Sequence, residues 1–533
     1  MLTHNSSNGA FLLYSNDEEK PIKAGLTLST TARGPNGEKV WYTADYDKKP
    51  TFNPYPAVSF YDEADEKARP YLEALKRDYE TSWADNDNAT FAKPDNGEEY
   101  MPFQKAGIRY GLDHDNILIG DEPGLGKTIQ AIGIANEAGY EKNLIVCPAS
   151  IRLNWQREIR NWSTIPRVKT FPIEKSADGV SPTANYTIIS YDLLKNPDLH
   201  DILYTTDWDT IIPDEIHFAK SLDAGRTRAL FGGGRGHFAN RRLVDKAKKV
   251  IGLSGTPLPN RAKECYTIAR ALCWEAIDWE SYDAFVFRYN PSYWGEEEHG
   301  RMLELQNRLR CNFMIRRLKK DVLKDLPDKR YEFSYVESDG RIKDVLAKEA
   351  MIDFQIDDLV NPFAEIWGQI STVRREMGEA MVPRVVEHIK YVLDNGVEKV
   401  VLFSHHRSVM DYINENLSKY GVLQIRGGMT SKAKDKSVQD FQTDPKKRIV
   451  SCQLESGGFG VDGLQNAAYN VILVEPAWTR GTNEQAIDRT HRIGQHDNVI
   501  AQFMMVEGSF TERVLGRVIV KTHNTHTVLD ERT

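Results

Sequence analysis

Residues 117–131, ILIGDEPGLGKTIQA, join a short apolar run to a glycine-rich turn and then to a Lys-Thr pair that opens an apolar, helix-forming stretch. Strand, loop and helix in that order suit a phosphate cradle. Glycines let backbone N–H groups close on phosphate oxygens, and a helix N-terminus adds partial positive charge. Lys127 would reach the β- and γ-phosphates of a nucleotide, and Thr128 would hold Mg2+. Asp121 stands where the general phosphate-loop pattern has its first glycine. These residues alone therefore leave a plain glycine-rich turn as the alternative.

Three further constellations bear on the same chemistry. At residues 211–217 an apolar run ends in Pro-Asp-Glu-Ile-His, which places Asp214 and Glu215 at the carboxyl end of a strand, where α/β sheets carry their active groups. Asp214 can reach Mg2+, and Glu215 can orient and deprotonate an attacking water. Residues 253–260, LSGTPLPN, form a second strand-to-loop junction whose hydroxyls would sense a γ-phosphate. In QAIDRTHRIGQ, Arg489 and Arg492 stand three apart, on one face if the stretch is helical, with Gln485 one turn upstream. They would act as arginine fingers across a cleft. A solvated turn and a solvated helix face are the alternatives for the acids and the arginines taken separately.

Two alternating blocks must position these groups. Strand-like runs at 117–119, 144–147, 187–190, 210–212 and 250–253 each lead into polar or helical sequence, as buried parallel strands do. LNWQREIRNW, residues 153–162, reads as an amphipathic helix between them. The second block has runs at 400–403, 423–425, 449–452, 471–474 and 501–505. Between the blocks, residues 313–329 read as basic and mostly helical, with further helix to about residue 381. Ahead of both, a PNG turn predicts a hairpin at 31–42, and a helix is expected within 62–79, with Pro70 either breaking it or marking its start. Residues 84–99 read as a linker.

Composition limits the remaining options. A chain of 533 residues is too long for one core, and 40% apolar with 27% charged residues is the balance of a globular protein. No apolar run approaches a membrane span, and the N-terminal stretch lacks the pattern of a signal peptide. The expectation is a protein of the cytosol, or less readily the nucleus, without membrane association. The five cysteines are scattered with no CxxC pair, which predicts a reducing compartment and no structural zinc. The net charge of −8 resides almost wholly in residues 1–100, so the remainder is near neutral and can still hold a basic groove.

DEPGLGKT, DEIH, LSGTP and QAIDRTHRIGQ, in this order, resemble superfamily 2 helicase-like ATPases, specifically the Snf-type (sucrose-non-fermenting, chromatin-remodeller-like) DNA translocases. LIVCPASIRLNWQREI, FMIRRLKKDVLKDLPDK and HRIGQ point to that family rather than to DEAD/DEAH-box helicases, and the likeness covers about residues 100–512. It implies an α/β fold of two RecA-like phosphate-loop lobes, parallel sheets flanked by helices, behind a small α+β N-terminal module. The expected division is 1–99 for that module and its linker, 100–312 for lobe 1, 313–380 for a helical linker and 381–533 for lobe 2.

The same resemblance implies ATP and Mg2+ as cofactors. Gln104 would read the adenine, while Asp121, Glu122, Pro123, Gly124, Leu125, Gly126, Lys127 and Thr128 would cradle the phosphates. Thr128 and Asp214 would hold the metal, Glu215 the water, and Arg489 and Arg492 the developing charge. SGGFGVDGLQNA looks like the glycine loop linking DNA contact to ATP, which brings in Gly460. Residues 148–150, Ser404 and 457–462 match positions near the DNA backbone, and Trp478 falls where the family has its tryptophan. The chain departs from the family pattern at Pro123 (usually Met), at Ile216 (usually Ala) and in a longer glycine loop.

The expected activity is ATP-dependent translocation on double-stranded DNA, forked or branched forms included, by a monomer in DNA repair, recombination or replication in a bacterial or phage-infected cell. A strand-separating DNA or RNA helicase and an ATP-gated scaffold are the alternatives. VWYTADY in the N-terminal module resembles the recognition module of HARP-like annealing helicases. The basic insertion at 226–249, with eight basic residues and one acid, reads as either a phosphate contact or a mobile solvated loop.

Overall fold

The computed structural model describes residues 2–4, 11–14, 27–33, 39–42, 65–66, 69–94, 96–257, 262–277, 281–289, 298–352, 364–454 and 461–516. The strands, in chain order, are β1 (Leu2–His4), β2 (Phe11–Tyr14), β3 (Thr27–Arg33), β4 (Lys39–Tyr42), β5 (Ile117–Ile119), β6 (Asn143–Cys147), β7 (Thr170–Pro172), β8 (Tyr186–Ser190) and β9 (Trp208–Pro213). They continue with β10 (Ala247–Leu253), β11 (Met314–Ile315), β12 (Lys329–Tyr335), β13 (Val400–Ser404), β14 (Val422–Ile425), β15 (Ile449–Gln453), β16 (Asn470–Leu473) and β17 (Val499–Met505). Two compact units contain them: the first reaches Val322, and the second takes up the chain at Leu323.

The first unit is built on a seven-stranded parallel sheet of order β11-β5-β10-β9-β6-β8-β7. Its central strands β6 and β8 are buried at every residue, which is why they read as unbroken apolar runs instead of alternating ones. Helices cover the sheet, among them Pro102–Asp113, Lys127–Glu137 and Arg152–Trp162. The last of these buries Trp155, Ile159 and Trp162, an i, i+4, i+7 stripe, as its amphipathic pattern predicted. Register decides where the strands end. Leu253 pairs with Ile119, and Asp214 bridges to Leu253, so the carboxyl ends of β5, β10 and β9 finish side by side.

The second unit carries a six-stranded parallel sheet of order β12-β17-β16-β13-β15-β14. All five strands expected in this block form, within one or two residues at each end. The N-terminal strands make an antiparallel sheet of order β1-β2-β4-β3, and β3 and β4 form the predicted hairpin, whose turn lies outside the described residues. The helix after it runs Arg69–Thr81, so Pro70 marks its first turn, where a missing N–H costs nothing.

One expectation fails in detail. Residues 313–329 are not mostly helical: Met314–Ile315 adds an edge strand to the first sheet, only Lys319–Val322 is helical, and Lys329–Tyr335 is the edge strand of the second sheet. Basic residues in KRYEFSY masked a period of two, in which Tyr331, Phe333 and Tyr335 alternate with polar residues. A two-residue strand such as Met314–Ile315 carries no periodicity at all.

Candidate nucleotide site

The phosphate loop follows β5, and its geometry depends on glycine. Gly126, the N-cap of helix Lys127–Glu137, has φ 74°. That left-handed φ strains any residue with a side chain, and a Cβ built there would come within 2.5 Å of Gln104 Nε2 and push that side-chain end aside. Gln104 is nearly buried, and its Oε1 accepts the N–H of Met101 at 3.0 Å, capping the helix that carries it. Lys127 is half-buried, and its ammonium donates to the carbonyl oxygens of Asp121 (2.8 Å) and Glu122 (3.3 Å). Burial lowers its pKa, against the opposing pull of Glu215, Asp121 and Asp214. A lysine resting on its own loop carbonyls beside two carboxylates is poised to turn to a phosphate oxygen.

Asp121 does something other than face a ligand. Its carboxylate is completely buried and takes a bidentate pair from Arg317, Nε to Oδ1 at 2.9 Å and Nη2 to Oδ2 at 2.5 Å, with further bonds from the Arg317 backbone N–H and Gln130 Nε2. Burial alone would raise its pKa; the Arg317 charge and these hydrogen bonds outweigh that and hold it below the usual carboxylate value. Arg316 bonds the carbonyl oxygens of Gly120 and Gly255, and the Lys319 N–H donates to Glu122 at 2.6 Å. The RRLK segment thus fastens the phosphate loop from behind. Both arginines of this basic segment are buried.

This predicts that Arg317→Met destabilises the protein by about 3–5 kcal/mol in urea unfolding, because Asp121 is left buried without its partner. Arg317→Lys should recover little, since an ammonium cannot make the two-point pair. The pair's contribution is present above the ordinary carboxylate pKa and is lost as pH falls through the depressed folded value.

Asp214 and Glu215 end β9. Asp214 Oδ2 accepts the indole N–H of Trp155 at 2.8 Å, Oδ1 accepts the Glu215 N–H at 2.9 Å, and the Asp214 carbonyl accepts the Tyr191 hydroxyl at 3.0 Å. Burial, and after it the adjacent Glu215 charge, push the Asp214 pKa up to about 6. Glu215 has φ 51°, a left-handed conformation rare for a residue with a side chain and characteristic of functional turns. Its Oε2 lies 3.2 Å from His217 Nδ1, which lies 3.0 Å from Ser254 Oγ; that hydroxyl also accepts the Thr256 N–H at 3.2 Å. The Ser254 hydroxyl, expected to sense phosphate, is wholly buried, and it and the Glu215 carboxylate approach the same His217 nitrogen. Residues 258–260 lie outside the described residues.

The donor set fits ATP and Mg2+. Two carboxylates at the end of one buried strand, one of them with a raised pKa, are a charge excess that a divalent ion would relieve, and Thr128 follows Lys127 at the helix start. Trp155 and His217 were not singled out in the sequence for these contacts. An aromatic on the buried face of an amphipathic helix carries no sign of which carboxylate it will meet.

In the second unit, helix Arg480–Ile487 stops before the arginines, so Arg489 and Arg492 do not share a helical face. The Thr490 hydroxyl bonds the Ile487 carbonyl, and the Arg489 and Thr490 N–H groups close tight three-residue turns on Ala486 and Ile487, which ends the α-helical ladder. The two side chains still converge: Arg489 Nη1 donates to the Val461 carbonyl at 3.3 Å, and Arg492 pairs with Asp462 at 2.8 Å. Both meet the end of the glycine loop. Gly460 itself lies outside the described residues.

Ser404, at the end of β13, is completely buried, and the turn after it is held by Glu475, which accepts the His405 and His406 N–H groups at 2.9 Å each. Residues 148–150, by contrast, are partly or fully exposed. Trp478 donates to Thr511 Oγ1 at 3.2 Å and lies under the Arg374 guanidinium. The basic insertion is largely paired within its own unit: Arg241 with Asp201, Arg242 with Asp245 and Lys248 with Asp209. Lys249 is buried, donating to the carbonyls of Gly111 and His114, while Arg235 is exposed. The insertion ends in β10, and four of its basic side chains are held by partners in its own unit.

Residues 41–346, more than half of the chain, match the SNF2-related domain. The chain belongs to the SNF2-related family. Residues 384–494 match the helicase conserved C-terminal domain, so the family's two RecA-like lobes correspond to the two parallel sheets. The DNA annealing helicase and endonuclease ZRANB3 of Bos taurus is 31% identical over 459 residues, 81% of this chain and 41% of that protein. The SWI/SNF-related matrix-associated actin-dependent regulator of chromatin subfamily A-like protein 1 homolog of Caenorhabditis elegans is 32% identical over 444 residues, 80% of this chain and 61% of that protein. This SNF2-related chain thus spans about half the length of these relatives. Among solved structures, the Sulfolobus solfataricus SWI2/SNF2 ATPase core in complex with dsDNA aligns with 84% of this chain and 100% of its own, at 21% identity and a TM-score of 0.41. Among the described residues, no helix is long and apolar enough to cross a membrane.

Proposed function

We propose that this SNF2-related chain is an ATP-dependent translocase on double-stranded DNA, acting as a monomer on duplex, forked or branched forms in DNA repair or replication. The observation that carries the proposal is the meeting of three loops at adjacent strand ends of one sheet, bearing Lys127, Asp214–Glu215 and the Ser254–His217 link. Gln104 reads the adenine, the 121–128 backbone and Lys127 bind phosphates, and Thr128 and Asp214 hold Mg2+. Glu215 takes the proton of the attacking water, His217 and Ser254 keep it oriented, and Arg489 and Arg492 of the second lobe supply positive charge. The proposed division into lobes is 100–312 and 381–533, with 1–99 ahead, and within residues 313–380 β11 joins the edge of the first sheet and β12 the edge of the second. That two relatives are described as a DNA annealing helicase and a chromatin regulator supports DNA as the substrate.

The test is the ATPase rate without nucleic acid and with single-stranded DNA, duplex, forked DNA and RNA. Duplex and forked DNA should stimulate most; equal stimulation by RNA and single strands would favour a general helicase, and no stimulation would remove the translocase. Duplex affinity should fall linearly in log–log with salt and vary little with base sequence, since phosphate contacts dominate. Binding that tracks base sequence at constant salt would contradict this.

A further inference from the structure

Away from the phosphate loop, the first unit holds a second cluster of chemically capable groups. His200 and Asp201 lie in helix Pro197–Tyr204, and His237 lies in the glycine-rich turn beyond helix Gly225–Phe231. His200 is completely buried, and its Nε2 is 2.8 Å from the Ala229 carbonyl oxygen. A carbonyl only accepts, so Nε2 carries the proton and Nδ1 presents a bare lone pair. That Nδ1 is buried and meets no hydrogen-bond donor among the described residues.

The other two residues show a conflict. His237 Nε2 lies 2.9 Å from Asp201 Oδ1 and 3.3 Å from Arg241 Nη1, while Arg241 also pairs with Asp201. One imidazole nitrogen cannot donate to a carboxylate and accept from a guanidinium at the same time. A ligand atom from each of His200, Asp201 and His237 lies within 4.8 Å of the others. Ligands about 2.0–2.2 Å from a tetrahedral ion are spaced about 3.3 Å apart, so side-chain movement of about an ångström completes the set.

The geometry points to a divalent transition-metal site, for zinc before other ions, formed by His200 Nδ1, the Asp201 carboxylate and the His237 imidazole, with water as fourth ligand. Two imidazoles and a carboxylate are the donor set that zinc accepts, and the Ala229 carbonyl supplies the outer hydrogen bond that orients a metal-ligating histidine. Absence of cysteine pairs predicted no structural zinc, and this set uses no cysteine. The ion would tie the turn containing Gly232, Gly233, Gly234 and Gly236, all with positive φ, to helix Pro197–Tyr204. It would also displace Arg241, whose side chain is 40% exposed, from Asp201 toward solvent.

The experiment uses the whole chain, loaded with Zn2+, passed through metal-free buffer and analysed for retained metal, with Co2+ as a spectroscopic substitute. One Zn2+ per chain and the strong visible absorption of four-coordinate Co2+ are expected. Asp201→Asn and His237→Ala, both at partly exposed positions, should keep wild-type circular dichroism and basal ATPase while weakening Zn2+ binding by at least about 10- to 100-fold. His200→Ala should do the same, but its burial makes the other two variants decisive. Failure of the wild type to retain Zn2+, or retention by either of those variants as in the wild type, would overturn the site. Because the readout is bound metal, failure here leaves the translocase reading untouched.

Discussion

Glu215→Gln is expected to abolish ATP hydrolysis while ATP binding persists, and Lys127→Ala should abolish hydrolysis together with most of the binding. The two residues fall on opposite sides of the reaction. Lys127 stands at the helix N-terminus, half-buried, where its ammonium can move from the Asp121 and Glu122 carbonyls to phosphate oxygens. Glu215 sits in a left-handed turn at the end of β9, linked to His217 and Ser254, and contributes nothing to the cradle itself. An amide at 215 keeps the shape and removes the base. Nucleotide binding by fluorescence beside phosphate release measures both; turnover by Glu215→Gln above about a tenth of wild type would remove Glu215 as the base. Ser254→Ala makes a graded comparison, since it removes the contacts to His217 and the Thr256 N–H while leaving Glu215 in place, and it should lower turnover less than Glu215→Gln.

Arg489→Ala and Arg492→Ala are expected to lose DNA-stimulated hydrolysis by roughly 10³- to 10⁵-fold, with ATP affinity largely intact. An arginine finger acts on charge that develops in the transition state, so its loss lowers turnover more than binding. Both side chains rest on residues 461–462, with Arg492 paired to Asp462 at 2.8 Å. That partly exposed pair is worth little to stability, so the variants should fold normally. Lysine should not rescue either position, because an ammonium lacks the planar fork. If either alanine variant keeps near-wild-type stimulated turnover, that arginine belongs to the surface and not to the reaction. Asp462→Ala provides a further comparison, as it releases Arg492 without removing it.

Most of the parallel strands were legible in the sequence, because a strand buried on both faces must be a short apolar run, and the runs at β5, β6, β8, β9, β10 and β13–β17 have no competing explanation. The phosphate loop was legible for a related reason: the left-handed φ of 74° at residue 126 favours glycine, so residue type reports geometry directly. Asp214 and Glu215 followed from position, since a strand's carboxyl end is where a parallel sheet exposes polar groups.

What only the tertiary structure decided concerns partners distant in sequence. Asp121 reads as a loop residue, yet its carboxylate is spent on Arg317, 196 residues away. Trp155 reads as core, yet its indole N–H selects one oxygen of Asp214. Arg489 and Arg492 read as one helical face, yet Thr490 closes the helix early and residues 461–462 bring the arginines together. Lys249 reads as part of a basic surface, yet it is buried against two carbonyls. Local pattern determines backbone state because sterics and burial act on each residue where it stands. Which charge meets which depends on strand order and register, and a parallel sheet sets those through crossovers that place β10 between β5 and β9 although it follows both in the chain.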